Sequence, residues 1–134
     1  MPRSSERASR VPQLLVAALV SLLAASTPAY AQSAACENAQ STAAMRQCEI
    51  ARLKRANEAM DAAYRKLAAN LDARGRVKLH AAQEAWLRYR AAEADYQADS
   101  ARGGTLAPLI AASVQADLTE ARSRELDKSA GQLQ

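Results

Sequence analysis

The stretch Ala81-Ala-Gln-Glu-Ala-Trp86-Leu-Arg-Tyr89-Arg90-Ala-Ala-Glu-Ala-Asp-Tyr96 decides how the rest of the chain is read. It holds the one tryptophan of a 134-residue chain that has no phenylalanine. It also lacks glycine, proline and β-branched residues, so nothing in it opposes a helix. On a helix, Trp86, Tyr89 and Tyr96 follow one another at steps of 3 and 7 and fall on one face, bordered by Gln83, Arg90 and Glu93. Such a face is read first as core, because large aromatics supply most of the apolar area that a small domain can bury. The rival reading is a binding face, since Trp, Tyr and Arg dominate interface hot spots. Arg90 is expected to lay its stem on a ring, or to pair with Glu93 or with a carboxylate of another helix.

Working outward, the same reading gives three helices. The first starts near Ser41 or Thr42, either of which can cap it, and runs to about Asp72. Its apolar stripe is Ile50, Leu53, Met60, Tyr64, Leu67 and Leu71, with Asn57 filling the gap as a register-fixing polar residue. The run DARGR then breaks the pattern, with Gly75 as the expected turn residue. The second helix spans about Arg76 to Ser100 and presents Leu79, Ala82, Trp86, Tyr89 and Tyr96. Gly103-Gly104 gives the next turn, Thr105 is the expected cap, and Pro108 suits a first helical turn. The third helix carries Leu106, Ile110, Val114, Leu118 and Ala121, ends near Lys128, and leaves SAGQLQ as a frayed tail. The expected fold class is all-α, an up-down-up bundle of three helices with short connections and one N-terminal disulfide.

The first 31 residues are set apart from that domain. Arg3, Arg7 and Arg10 precede an apolar run of about 16 residues, and Ala29-Tyr30-Ala31 offers small residues at the two positions a signal peptidase reads. The run is shorter than the roughly 20 residues needed to span a bilayer, so residues 1–31 are expected to be a cleaved secretory signal, with cleavage before Gln32 and no membrane anchor afterwards. A lipid anchor on Cys36 is disfavoured because the position three before it is Ser33 rather than a large aliphatic residue. Residues 32–134 then form one small domain, periplasmic or secreted. Losing Arg3, Arg7, Arg10 and Glu6 lowers the formal charge from +4 to +2, so the sequence pI of about 9.4 is partly a property of the signal and no nucleic-acid partner is implied.

Cys36 and Cys48 both lie in the exported part, where disulfides persist, and 11 residues separate them. Closing that loop is worth about 2 to 3 kcal/mol. A metal site would need more ligands than two thiols and the lone His80 supply. No Gly-rich phosphate loop or zinc-binding helix signature occurs, and no cofactor is called for. The carboxylate pairs Glu58 with Asp61 and Glu93 with Asp95 read as solvated helix faces, with Arg55 and Arg65 placed to form surface ion pairs with the first. The chain is therefore read as non-enzymatic, with no catalytic residues.

Several pieces of the chain, in order, resemble a known family: CENAQS from Cys36, MRQC ending at Cys48, ANEAMDAAYRKL from Ala56, LHAAQEAWLRYR from Leu79, GGTLAP from Gly103 and LTEARSREL from Leu118. Together, over roughly Cys36 to Leu126, they are similar to the LprI-like N-terminal domain family, small exported bacterial helical proteins named after a lysozyme inhibitor. The resemblance implies a protein-binding domain whose partner is a lysozyme-type muramidase or another envelope protein. A structural or stress-related envelope module is the alternative. It marks Gln83, Trp86, Tyr89 and Arg90 as a structural or interaction motif. Members of the family often carry a second cysteine pair, whose positions by spacing are Ala94 and Val114 here. A net positive domain with no evident acidic loop is expected to attract a basic enzyme only weakly at long range.

Overall fold

The computed structural model describes residues 36–133; the signal segment and cleavage site expected from the sequence lie outside them. The described residues fold into helices α1 (Thr42–Ala69), α2 (Ala73–Ala98) and α3 (Ala107–Gln132), with a 3-10 turn, Asp99–Ala101, after α2. Arg52 meets Asp117 and Glu120, and Lys66 meets Asp127, so α1 and α3 run parallel. Gln83 meets Met60 and Arg122, and Arg90 meets Asn57 and Thr119, so α2 runs antiparallel to both. This is the up-down-up arrangement expected from the sequence.

The core differs in composition from the expected stripes. Along α1 the buried line is Ala56, Met60, Ala63 and Leu67; along α3 it is Ala112, Ala116, Thr119, Leu126 and Ala130. Spacings of 3, 4 and 7 are those of a helix seam, and small side chains at most of these positions let α1 and α3 come close. Those two helices pack the most intimately, α2 lies mainly against α3, and α2 reaches α1 chiefly through long side chains. Met60, Ala63, Leu67, Leu126 and Ala130 form the centre, with Tyr64, Leu71, Leu79 and Trp86 packed on it. Ile50, Ala82, Tyr89, Tyr96, Leu106 and Ala121, all expected on apolar faces, are exposed. Val114 is buried as expected.

The helix ends also depart from expectation in instructive ways. Ser41 caps α1 through its hydroxyl, which accepts from the Ala44 amide at 3.1 Å. Asp72 caps α2 by accepting from the Gly75 amide at 2.7 Å, so the helix begins at Ala73 and Gly75 is helical rather than a turn residue. A Cβ at Gly75 would sit 3.1 Å from the capping carboxylate and 3.2 Å from Leu71, which explains the glycine as a close approach. Gly103 is the residue with positive φ, 77°, and makes the second turn as expected. Thr105 does not cap α3; Leu106 takes the cap position without a side-chain bond, and Pro108 lies in the first turn. The helix continues past Lys128 to Gln132, because Ala130 is buried against the α1–α3 seam and its carbonyl accepts from Asn70. The Cys36–Cys48 disulfide, with Cα atoms 5.6 Å apart, ties the segment before α1 to that helix, as expected.

Candidate functional site

Seen from the interior, α2 presents Leu79, Gln83, Trp86, Arg90 and Ala94, a line advancing by three or four residues and therefore one helix face. Trp86 packs on the central cluster. The Arg90 guanidinium lies 5.2 Å from the centre of its ring and that of Arg122 lies 5.9 Å away, so two cations share one indole.

Each polar group along this face finds a specific partner. The Arg90 Nη1 group donates to Asn57 Oδ1 of α1 at 2.9 Å and to Thr119 Oγ1 of α3 at 2.8 Å. One side chain thus joins all three helices. The Thr119 hydroxyl in turn donates to the Gln115 carbonyl at 2.6 Å, which aims its oxygen lone pairs at the guanidinium. Arg122 Nε donates to Gln83 Oε1 at 3.1 Å, its Nη1 donates to Glu125 at 2.8 Å, and Gln83 Nε2 donates to the Met60 sulfur at 3.2 Å. Among the described residues no buried side-chain nitrogen or oxygen lacks a hydrogen-bond partner. Burial lowers the pKa of Arg90 from its ordinary value, while a guanidinium remains cationic throughout the accessible range. Of the two arrangements expected for Arg90, the structure shows the one on a ring, that of Trp86, and no carboxylate pairs with it among the described residues. Glu93 accepts from Gln97 instead, and neutral acceptors spare the interior a buried carboxylate.

Of the motif read from the sequence, the structure brings Gln83, Trp86 and Arg90 together and leaves Tyr89 outside. Tyr89 is 52% exposed and Tyr96 75% exposed. Asn57, Thr119 and Arg122 complete the inner network. Thr119 and Arg122 stand in the stretch LTEARSREL, so the signal was present in the sequence, though nothing there paired it with Arg90.

The face of the α1–α3 pair that α2 does not cover carries a different arrangement. Arg52 pairs with Glu49, Asp117 and Glu120. Hydrogen bonds to Glu120 and Asp117 raise the pKa of Arg52 far above its usual value, and Arg52 holds Glu120 below the usual carboxylate range. Beyond this cluster a shallow groove of about 370 Å³ runs between the helices, floored by Ala59, Ala62, Ala63 and Ser123 and edged by Lys66, Arg124 and Asp127. Glu58 and Asp61 are exposed and form no ion pair among the described residues, contrary to the expected pairing with Arg55 and Arg65. His80 is exposed, 3.9 Å from Glu84. Among the described residues no group of three or more His, Cys, Asp or Glu side chains is placed to hold a metal ion, and no helix is long and apolar enough to cross a membrane.

No curated protein and no solved structure matches the chain. The sequence model of one family, described as lysozyme inhibitor LprI, matches residues 33–126, well over half of the chain and nearly all of the helical domain with its disulfide. In this structure Arg90, on the inner face of α2 with Gln83 and Trp86, bonds to both other helices, and the chain belongs to the LprI family.

Proposed function

We propose that this protein is exported and acts without catalysis, binding a lysozyme-type muramidase and lowering its turnover. Membership of the LprI family over residues 33–126 is the observation that carries this reading. The disulfide supports export, because such bridges persist in oxidising compartments. The scaffold suits the task physically. Muramidases of this type cleave with paired carboxylates in a cleft that must admit a polysaccharide, so a rigid domain seated over that cleft stops turnover without any chemistry of its own. Rigidity matters because ordering side chains and loops at an interface opposes binding, and a bundle tied by Cys36–Cys48 and locked by Arg90 has little left to order.

The test is lysis of a cell-wall suspension by lysozyme in the presence of the purified, disulfide-bonded protein. A dose-dependent fall in the lysis rate supports the reading. Unchanged turnover at high micromolar excess refutes it.

A further inference from the structure

The inner face of α2 is accounted for by packing; its outer flank is not. Tyr89, Glu93 and Tyr96 advance by four and three residues and share one flank of the helix. The core of this domain is largely alanine, yet two of its four aromatic side chains stand in solvent. Burying a tyrosine in place of an alanine would add far more apolar contact, so the interior does not explain why these residues are where they are. Tyrosine at half to three-quarters exposure is instead the side chain best suited to anchor an interface, with a large rigid ring and a polar tip.

The end of the bundle towards which this flank runs carries further exposed apolar side chains. The parallel register of α1 and α3, and the reversed one of α2, bring the start of α1, the end of α2 and the start of α3 to the disulfide end of the bundle. Ile50 and Leu106 are exposed at that same end.

Charge selects the partner. Residues 91–99 contain Glu93, Asp95 and Asp99 and no cation. Asp99 is engaged by Arg102, whereas Glu93 and Asp95 form no ion pair among the described residues, and Arg46 and Lys54 of α1 do not neutralise them by contact. No basic residue occupies the last turn of α2, where the carbonyl end of the helix adds negative potential. The formal charge, +4 for the whole sequence and +2 for the domain expected after signal loss, thus conceals an acidic and aromatic stretch over residues 93–99, with Arg88 the nearest exposed cation before it on α2.

Resting on the reading that this protein binds a muramidase, we infer that the Tyr89–Glu93–Tyr96 flank of α2 is the docking surface, and that it takes a cationic enzyme face through two tyrosine anchors and the Glu93 and Asp95 carboxylates, which no cation engages among the described residues.

Interferometry on immobilised c-type lysozyme tests this with the disulfide-bonded protein, the variants Tyr89→Ser/Tyr96→Ser and Glu93→Lys/Asp95→Lys, and an Arg124→Ser control in the groove that α2 does not border. The tyrosine variant is expected to bind about thirtyfold more weakly, with helix content and melting temperature preserved, since both side chains are exposed. The charge variant is expected to associate more slowly and to lose the acceleration that low salt gives the native protein. The control binds as the native protein does. Native-like affinity in the tyrosine variant, or native association kinetics in the charge variant, overturns the assigned surface while leaving muramidase binding intact. A native protein that does not bind lysozyme overturns the underlying reading, and the surface assignment with it.

Discussion

Replacing Thr119 by valine tests the interior lock with almost no change in shape. The side chain is 0% exposed, and its hydroxyl accepts from Arg90 at 2.8 Å while donating to the Gln115 carbonyl at 2.6 Å. Valine fills the same volume but offers the guanidinium no acceptor at this buried position. A hydrogen bond to a charged group is worth about 1.5 to 3 kcal/mol, so Thr119→Val should cost about 2 kcal/mol. For a domain of this size that is a fall of about 10 °C in the melting temperature. Urea unfolding followed by helical circular dichroism measures it, with Arg90→Met and the double variant closing a cycle. Because Thr119 acts through Arg90, the two changes should be strongly non-additive, with a coupling of about 1 kcal/mol or more. A loss below about 0.5 kcal/mol, or additivity within about 0.3 kcal/mol, refutes the claim that this bond holds α2 and α3 together.

Three further outcomes follow from other parts of the molecule. Thiol titration of the purified native protein should find no free cysteine, and reduction of Cys36–Cys48 should lower stability by about 2 to 3 kcal/mol in urea; two reactive thiols in the native protein would contradict the bridge. Ala94 and Val114 are both buried, and the register that sets Arg90 beside Thr119 carries them to a similar level on α2 and α3, so cysteines at both positions should oxidise to a second bridge; failure to crosslink would remove the family-based pairing. Arg52 holds the folded-state pKa of Glu120 below its ordinary 4.5. The stability this contributes is complete above the unfolded value and is lost as pH falls through the folded one, so the native protein should lose stability between about pH 5 and 3 more steeply than Glu120→Gln; equal acid limbs would refute the pairing.

The fold was legible because large apolar residues, caps and Gly-Gly break the chain into three helical periods. The faces were less so, and alanine is the reason. It occurs on every side of these helices, so pattern alone cannot tell that Ala56, Ala63, Ala112, Ala116 and Ala130 are the ones inside. On α2 the conspicuous residues pointed the wrong way. A helix turns by about 100° per residue, so Tyr89 and Arg90 lie on opposite sides of Trp86, and the inward choice went to the arginine. That choice follows from what faces it, Asn57 and Thr119, which stand 33 and 29 residues away in sequence. Such a partnership becomes visible only once the helix register is known. The sequence named Gln83, Trp86, Tyr89 and Arg90 as one motif; that the first, second and fourth face inward while Tyr89 faces out with Tyr96 became visible only in the packed structure.

The measurement closest to the central claim is a titration of lysozyme turnover with the native, disulfide-bonded protein, run beside Tyr89→Ser/Tyr96→Ser. The account predicts that native protein lowers the lysis rate to a plateau as a one-to-one complex fills, and that the tyrosine variant, equally folded, needs far higher concentrations. A lysis rate that stays constant across the whole titration contradicts it.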